Sequence, residues 1–366
     1  MIESLWDQLA RRLVDALGAQ RGELIEVRDE AGNQRLLHAV LLALESVGAE
    51  PLVSILPAQQ VERLLVTASP DTLATRGRRY AEWLHQVDRS LLLVGAYPNM
   101  SQMTDEALHA FGTAYNRLEQ IRATRRIPQI IAAIPTIGKA AQLGLSHEDL
   151  ELRMMPALLV SSNELQTITD QLVPVLNRTS TITISTGPGY ELHLRRDDRL
   201  WLCDTGRIAV PVGEADPIIS YLPSGSVYTT VIAESAEGDL FLPVAGPARA
   251  AHLHLNGGRV TQIEAASGAE RLLELFDRYE STARRIRYIG IGLNPRLSQP
   301  LGWPMVDQHV QGTLRITFGE NRYHGGANAV PYQLDFVIGA ANLRVDDQLI
   351  IDQGRLVVNP LSTVLQ

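Results

Sequence analysis

The hydrophobic pattern of the sequence changes near residue 178, and this change limits the possible folds. Before that point, apolar stripes at helical spacing alternate with short apolar runs such as "ELIEVRD" and "RSLLLVG", a pattern typical of parallel strands joined by helices. After it, short strands and turn signals follow one another, beginning with "STITISTGPGYELHLRRDD". Because 366 residues are too many for one ordinary core, we predict two domains. They are an α/β domain with a parallel sheet at 1–177 and a β-rich mixed domain at 178–366.

Composition and charge exclude several classes of protein. Hydrophobic residues make up 45% and charged residues 20% of the chain, the profile of a globular protein rather than a disordered one. No window of 18 uncharged apolar residues is present, so we expect no membrane span. The opening "MIESLWDQLARRL" is acidic and periodic, unlike a signal peptide, and we expect a cytoplasmic protein. The net charge of −8 argues against nucleic acid as a partner, since phosphates require a positive surface.

Two further features argue against a redox role and a bound nucleotide. The single cysteine, Cys203, excludes an internal disulfide and a thiolate metal cluster, and its apolar surroundings in "RLWLCDTG" predict a buried structural thiol. The glycine-rich stretches "GPGY" at Gly187 and "NGGR" at Asn256 suit hairpin turns rather than a phosphate loop. We therefore predict no cofactor.

Seven segments of the chain follow the order found in a known family. They are "LGAQRGELIEV", "LLALESVGAEPLVSI", "YLPSGSVY", "GRVTQI", "GIGLNP", "GTLRITFG" and "QLDFVIG", and together they resemble the aminopeptidase T family of metallopeptidases. The resemblance implies an α/β N-terminal domain and a β-rich C-terminal domain that carries two divalent metal ions. It also favours a homodimer, which hides the edges of exposed strands.

The residues at the family's metal-ligand positions depart from the family pattern. In the segment matching "LPSGSVY", the family has a glutamate ligand where this chain has Ser226. A second, bridging glutamate of the family falls on Tyr288, two residues before "GIG". A histidine ligand of the family falls on Arg315 in "GTLRITFG". None of these three residues is a strong ligand for a divalent ion.

The remaining family positions follow Arg315 in the sequence. A tyrosine that assists catalysis in the family falls on Arg322, with Tyr323 adjacent. The family's final histidine and aspartate, two residues apart on one strand, correspond to Gln333 and Asp335. Only the aspartate is retained, and one carboxylate is too few for two metal ions.

Arg315 is the departure with the clearest physical consequence. A guanidinium group is always charged and offers no lone pair, so it repels a cation instead of binding one. It can fill the vacated volume and pair with Asp335, which keeps the cleft folded without metal. We therefore interpret the segment from Gly312 to Phe336 as a former metal site, and we predict an ion pair between Arg315 and Asp335.

Other groups keep an enzymatic interpretation open. His252 and His254 lie two residues apart in "HLHL", on one face of a predicted strand, a spacing that can bind metal. His309 and His324 lie near the loop after Arg315 in the sequence. A group of iron-dependent ring-cleaving dioxygenases also resembles this fold, but the His-X-Asp pair that such a site needs is broken by Gln333.

A peptidase fold without its metal ions retains a cleft suited to an extended peptide. Arg315 and Arg322 are placed to hold a peptide carboxylate, and Tyr288 and Tyr323 to supply contact surface. Proteins that look like this chain, with aminopeptidase T architecture and an emptied centre, occur in the biosynthesis of the ribosomal peptide crocagin, where they are thought to present the precursor. We therefore predict a non-catalytic, metal-free peptide-binding protein whose partners are a precursor peptide and peptide-modifying enzymes.

Two alternatives to this function stay open. One is an active metal-dependent aminopeptidase with a rearranged site, and the other is a structural dimer partner of an active homologue. Metal content distinguishes an active aminopeptidase from a metal-free peptide-binding protein. Binding of a precursor peptide distinguishes a peptide-binding protein from a structural dimer partner.

Overall fold

The computed structural model describes residues 4–101, 103–196, 198–213, 217–277, 284–319 and 333–357. The chain divides into two compact units. The first unit comprises Met1–Ser162 and Gly206–Ser224, and the second comprises Asn163–Thr205 and Gly225–Gln366. Within the described ranges, every helix is too short or too polar to cross a membrane.

The helices and strands are numbered along the chain. The helices are α1 (Leu5–Leu17), α2 (Gln34–Ser46), α3 (Ala58–Thr67), α4 (Pro70–Thr75), α5 (Arg78–Leu84), α6 (Asp105–Thr124), α7 (Ile137–Leu143), α8 (His147–Leu158), α9 (Ser162–Asn177), α10 (Ala269–Asp277) and α11 (Pro304–Asp307). The strands are β1 (Leu24–Asp29), β2 (Glu50–Ile55), β3 (Arg89–Val94), β4 (Gln129–Ala133), β5 (Thr181–Gly187), β6 (Tyr190–Arg195), β7 (Leu202–Asp204), β8 (Ile219–Leu222), β9 (Ser226–Thr230), β10 (Glu237–Ala245), β11 (Ala248–Asn256), β12 (Arg259–Ser267), β13 (Ile286–Gly292), β14 (Leu314–Gly319), β15 (Gln333–Ile338), β16 (Asn342–Val345), β17 (Gln348–Asp352) and β18 (Arg355–Leu356).

A parallel sheet forms the centre of the first unit. Its strand order is β2-β1-β3-β4-β8, and every neighbouring pair is parallel. Strand β3 is buried along its whole length, as expected for a strand in the middle of a sheet with both faces covered. The apolar runs of the first half of the sequence become β1 to β4, which confirms the predicted α/β domain.

The two compact units differ in two places from the predicted domains, which meet at a single boundary between residues 177 and 178. Helix α9 belongs to the second unit, because Leu172 and Leu176 pack into the apolar core of that unit. Strand β8 returns to the first unit, where it pairs with β4 as an edge of the parallel sheet. The sequence of β8 is short and lies among antiparallel strands, so its apolar pattern alone does not reveal this distant partner.

Two antiparallel sheets form the second unit. The large sheet has the strand order β12-β11-β10-β6-β5-β16-β17-β18, and the small sheet has the order β15-β14-β13-β9-β7. Both sheets and the helices α9 and α10 contribute to one apolar core, which includes Leu253 of the large sheet and Phe318 of the small sheet. The unit is therefore rich in β-structure, as predicted, and alternate residues of each strand point away from this core.

A network of charged and polar side chains lies buried in the first unit. The carboxylate of Glu26 on β1 is fully buried and accepts hydrogen bonds from Arg122 Nε at 2.9 Å, from Ser90 Oγ at 2.6 Å and from Tyr80 OH at 2.8 Å. Burial by itself raises the pKa of Glu26, but the hydrogen bonds and charge of Arg122 outweigh it and hold that pKa below its ordinary value. Glu26 is therefore ionised in the core, and Arg122 compensates its charge.

Replacing Arg122 tests this buried ion pair. We expect Arg122→Met to lose about 3–5 kcal/mol of unfolding free energy, because the Glu26 carboxylate remains buried without its partner. The double variant E26Q/R122M recovers about 1–3 kcal/mol of that loss, since the uncharged amide can accept from one of the Ser90 and Tyr80 hydroxyls through its oxygen and donate to the other through its nitrogen.

Urea unfolding measures these losses. Arg153→Met, at an exposed arginine of α8, is the matched control and changes the unfolding free energy by less than about 0.5 kcal/mol. Equal losses in the single variant Arg122→Met and in the double variant would contradict the dependence of Glu26 on Arg122.

Candidate functional site

Four of the predicted site residues lie on one face of the small sheet, which we call the polar face. Ser226 is on β9, Tyr288 on β13, Arg315 on β14 and Asp335 on β15. The residues that alternate with them along the strands, such as Ile316, are buried in the apolar core. The four predicted positions therefore share the side of the sheet that faces away from this core.

The strand register brings these positions close to one another. Two neighbouring rows of paired residues cross the four strands, Thr230–Tyr288–Thr317–Asp335 and Tyr228–Gly290–Arg315–Val337. Directly paired residues have Cβ atoms about 4.5–5.5 Å apart, so side chains in these rows reach each other. Ser226 lies in the next row, opposite Gly292.

The other predicted positions lie partly or wholly outside the described residues. Gln333 is described by its backbone alone, which pairs with Gly319 at the first position of β15. Arg322, Tyr323 and His324 fall in the range 320–332, outside the described residues. The predicted site residues whose side chains the structure describes therefore all come from strands of the small sheet.

The ion pair predicted between Arg315 and Asp335 is present. Arg315 donates from Nε at 2.9 Å and from Nη2 at 2.8 Å to one carboxylate oxygen, Asp335 Oδ1. Thr317 Oγ1 donates to the same oxygen at 2.6 Å. The remaining nitrogen of the guanidinium, Arg315 Nη1, donates to the side-chain oxygen of Gln308. The guanidinium is therefore fixed through all three of its nitrogens, two of which donate to the carboxylate.

The ring of Tyr288 contacts two guanidinium groups. The Cζ atoms of Arg315 and of Arg287 each lie 4.9 Å from its centroid, within the range of a cation–π interaction. The ring also packs against Tyr228, with centroids 5.7 Å apart. Tyr288 is only 5% exposed, and burial raises the pKa of its phenol although both arginines oppose the rise. Tyr288 therefore stays protonated and supports the two arginines.

A β-bulge lets Arg287 approach the ring of Tyr288. The pairing of β13 with β14 shifts between Ile286 and Tyr288, which makes Arg287 an extra residue on its strand. Sequence reasoning missed Arg287. The sequence does carry a signal for it, because the spacing of Ile286, Ile289 and Ile291 changes from three residues to two, as it does when a strand contains a bulge.

Gln308 reaches Arg315 from outside the small sheet. Its segment follows α11 and runs close to the end of β13, where the carbonyl oxygen of Val310 lies against Gly292. A Cβ atom at Gly292 would lie 2.0 Å from that oxygen, so any larger residue there would push the segment away. Gly292 therefore permits the approach that brings Gln308 to the guanidinium.

His309, next to Gln308 in the sequence, is buried and carries no charge. It is 1% exposed, and burial, followed by the positive charge of Arg315, lowers its pKa to about 3. Asp307 shifts in the opposite direction. Burial raises the pKa of Asp307 to about 6, although the backbone N–H groups of Leu301 and Gly302 donate to its carboxylate. At neutral pH, His309 therefore adds no positive charge to the site.

Strand alternation reveals two further site residues that sequence reasoning missed. Tyr228 lies two residues after Ser226, and Thr317 lies two residues after Arg315, so both belong to the polar face. Gln308 was missed as well, and no such signal exists for it, because it comes from a segment outside the sheet.

The residues of the polar face do not fit a divalent metal ion. Among its described side chains at predicted ligand positions, Asp335 is the single carboxylate, and its Oδ1 already accepts three hydrogen bonds. The guanidinium of Arg315 lies at this acid and repels a second cation. In the part of the chain that the structure describes, no group of three or more His, Cys, Asp or Glu side chains is arranged to hold a metal ion.

The other candidate groups lie elsewhere in the second unit. Cys203 on β7 is half-buried and packs against the apolar core. Burial raises the pKa of its thiol, which argues against a reactive thiolate. His252 and His254 are on β11 of the large sheet.

A double-mutant cycle tests the pair of Arg315 and Asp335. Their side chains are 12% and 25% exposed, so we expect Arg315→Met to lower the unfolding free energy by about 2–3 kcal/mol, because a part-buried carboxylate loses its cation. Asp335→Asn and the double variant complete the cycle, with an expected coupling of about 1–3 kcal/mol.

The exposed ion pair of Arg296 and Glu164 is the matched control for this cycle. The two side chains are 55% and 40% exposed, and their coupling is expected below about 0.5 kcal/mol. Urea unfolding at neutral pH gives all the values. Additive losses at Arg315 and Asp335 would show that the two groups do not stabilise each other.

The pH dependence of stability tests the burial of His309. The folded state holds this imidazole neutral, whereas an unfolded histidine binds a proton below about pH 6.5. The contribution of His309 to the unfolding free energy is therefore most favourable above about pH 6.5. It falls by up to about 1.4 kcal/mol per pH unit as the pH drops toward 3.

His309→Gln removes this contribution, so wild type loses stability relative to the variant on acidification. The comparison cancels the opposite contribution of Asp307, which both proteins share. Urea unfolding at several pH values from 7 to 4.5 measures the difference. Parallel curves for wild type and His309→Gln would contradict a buried neutral imidazole.

Comparison with known proteins identifies the fold. No protein-family model and no curated protein matches the sequence. Two solved structures cover almost all of it. AmpT from Thermus thermophilus has a TM-score of 0.78 at 17% identity, over 97% of this chain and 99% of its own. The 2,5-dihydroxypyridine dioxygenase of Pseudomonas putida KT2440 has a TM-score of 0.62 at 18% identity, over 98% and 99%. At these identities the likeness shows the fold alone, and the chain therefore has the aminopeptidase T fold.

Proposed function

We propose that this chain is a non-catalytic peptide-binding protein with a metal-free aminopeptidase T fold, which presents a ribosomally made precursor peptide to modifying enzymes. The contacts of Arg315 are the observation that carries the proposal. Its guanidinium bonds Asp335 and Gln308 and lies over the ring of Tyr288. Arg315, Asp335 and Tyr288 stand at positions where the family resemblance implies metal ligands.

This arrangement supports binding without cleavage. A metallopeptidase uses its cation to polarise the scissile carbonyl group and to lower the pKa of a bound water molecule. Arg315 supplies positive charge but no coordination position, and its nitrogens already donate to neighbouring side chains. We infer that the polar face holds a peptide without activating water to hydrolyse it.

The exposure of the side chains changes the roles predicted for two of them. Direct contact with the peptide was predicted for Tyr288 and Arg315, but Tyr288 is 5% exposed and the Arg315 side chain 12%. In this proposal they hold the polar face in shape beneath the peptide. Asp335, with 25% of its side chain exposed, and the half-buried Tyr228 are described side chains that a peptide can reach.

The edges of the small sheet offer a second element of recognition. In the described residues, β15 and β7 are its outermost strands. An extended peptide can pair its main chain with such an edge while its side chains meet the polar face. Main-chain pairing supplies affinity with little dependence on sequence, so the side-chain contacts decide which peptide binds.

An active metal-dependent aminopeptidase with a rearranged site is the alternative. The similarity to AmpT over nearly the whole chain favours it, whereas the single carboxylate at Asp335 and the guanidinium beside it do not. A structural dimer partner of an active homologue is the remaining possibility. The homodimer and the absence of a nucleic-acid partner stay predictions.

Calorimetric titration with synthetic peptides tests the proposal, using the products of short open reading frames beside the gene. We expect saturable binding of one such peptide with a Kd at or below about 100 μM, and none of its scrambled sequence. Tyr228→Ala weakens the binding about tenfold, because an aromatic contact surface is lost. Tyr190→Ala, at a tyrosine of the large sheet, is the matched control and leaves the binding unchanged.

Mass spectrometry of the same peptides after incubation with the protein tests the alternative. We expect no amide-bond cleavage, with or without added Zn²⁺, Co²⁺ or Mn²⁺. Cleavage that a chelator abolishes would contradict the proposal and establish an aminopeptidase. If none of the peptides binds, the peptide-binding function is wrong and the structural dimer partner is favoured.

A further inference from the structure

Two histidines and an aspartate form a cluster on the outward face of the large sheet. His252 and His254 alternate along β11 with Leu253 and Leu255, which are fully buried in the core. Asp239 on β10 is the direct partner of His254 in the antiparallel register. The Nε2 atom of His252 lies 2.7 Å from Asp239 Oδ1, and the Nδ1 atom of His254 lies 3.0 Å from the same oxygen.

The backbone that carries this cluster is held on both sides. Strand β11 pairs with β10 on one side and with β12 on the other, and the ring of Tyr190 meets His252 edge-on with centroids 5.1 Å apart. The side chains remain open to solvent, since His252 is 31%, His254 38% and Asp239 33% exposed. A small ion can therefore reach them, and few rotamers have to be fixed when it binds.

The charge of the cluster favours a cation. Asp239 accepts hydrogen bonds from both imidazoles through one carboxylate oxygen, so an acidic side chain lies beside the two rings. Glu264 on β12 lies directly opposite His252 and adds a second acidic side chain to this face. Among the described residues, the ion-pair partners of Asp239 are the two histidines, which are neutral ligands when deprotonated.

We propose that His252 and His254 chelate one divalent transition-metal ion of the Zn²⁺, Ni²⁺ or Cu²⁺ class, with Asp239 supplying negative charge and water completing the coordination. Imidazole nitrogen is a preferred ligand of these ions, whereas Mg²⁺ and Ca²⁺ prefer oxygen. Both histidines belong to one rigid strand at a spacing that places them on one face.

The cluster is not a preformed site of three protein ligands. Both imidazoles hydrogen-bond to one oxygen of Asp239, so the three side chains are not arranged around a position that an ion could occupy. In the structure, His252 Nε2 and His254 Nδ1 face Asp239. For these two nitrogens to bind the ion, the proton of each neutral ring exchanges through solvent to the other ring nitrogen, which leaves a lone pair on the nitrogen beside Asp239. The protein then supplies two nitrogens, and Asp239 changes from a hydrogen-bond acceptor to the charge that balances the ion.

Titration with ZnCl₂ and NiCl₂ in a non-coordinating buffer at pH 7.5 tests this proposal. We expect one ion per chain with a Kd at or below about 100 μM, and no binding of MgCl₂. His254→Asn and His252→Asn each abolish saturable binding, and Asp239→Asn weakens it about 10-fold to 100-fold.

His193→Asn is the matched control. His193 on β6 also faces outward on the large sheet, with 58% of its side chain exposed, and lies opposite Glu237. We expect the control to bind Zn²⁺ as wild type does. The proposal is wrong if wild type binds neither ion at about 100 μM, if the double variant H252N/H254N binds as tightly as wild type, or if His193→Asn loses the site.

This site is independent of the proposed peptide-binding function. It lies on the large sheet, whereas the polar face belongs to the small sheet. Metal analysis of the purified H252N/H254N variant separates the two claims. Metal that this variant retains would count against the metal-free cleft and not against the chelate. Metal that it loses relative to wild type supports the chelate and leaves the cleft unaffected.

Discussion

The bonds between Arg315 and the Asp335 carboxylate organise the polar face of the small sheet. One carboxylate oxygen accepts from two nitrogens of the guanidinium and from Thr317, and the third nitrogen recruits Gln308 from outside the sheet. The Cζ atom of the same guanidinium lies 4.9 Å from the centroid of the Tyr288 ring. The positive charge at this position stabilises the sheet, because a part-buried carboxylate is unfavourable without a cation beside it.

A guanidinium group and a divalent ion both neutralise an acid, but they differ in what else they can do. The ion accepts lone pairs from any direction and activates the water or carbonyl oxygen that supplies them. The guanidinium donates along fixed directions, and each of the three nitrogens of Arg315 donates to a side chain of the protein. This difference explains how the aminopeptidase T fold is compatible with the proposed peptide-binding function without catalysis.

The elements that follow simple periodicity were predictable from the sequence. The parallel strands come from continuous apolar runs, and the pairing of Arg315 with Asp335 follows from charge at two family positions. Features that depend on distant backbone were not predictable. β8 finds its partner β4 far back in the chain, and Gln308 enters from a separate segment. The bulge at Arg287 leaves a signal in the isoleucine spacing, but that spacing does not reveal the contact of its guanidinium with Tyr288.

We infer that the Arg315 guanidinium occupies the place of a cation on the polar face. Anomalous diffraction from crystals soaked in Zn²⁺ tests it most directly, because the method locates the ion and the side chain in one experiment. If the guanidinium takes that place, we expect no anomalous peak on the polar face and Arg315 still bonded to Asp335. A peak beside Asp335, with Arg315 turned away from it, would show that a metal ion takes that place instead.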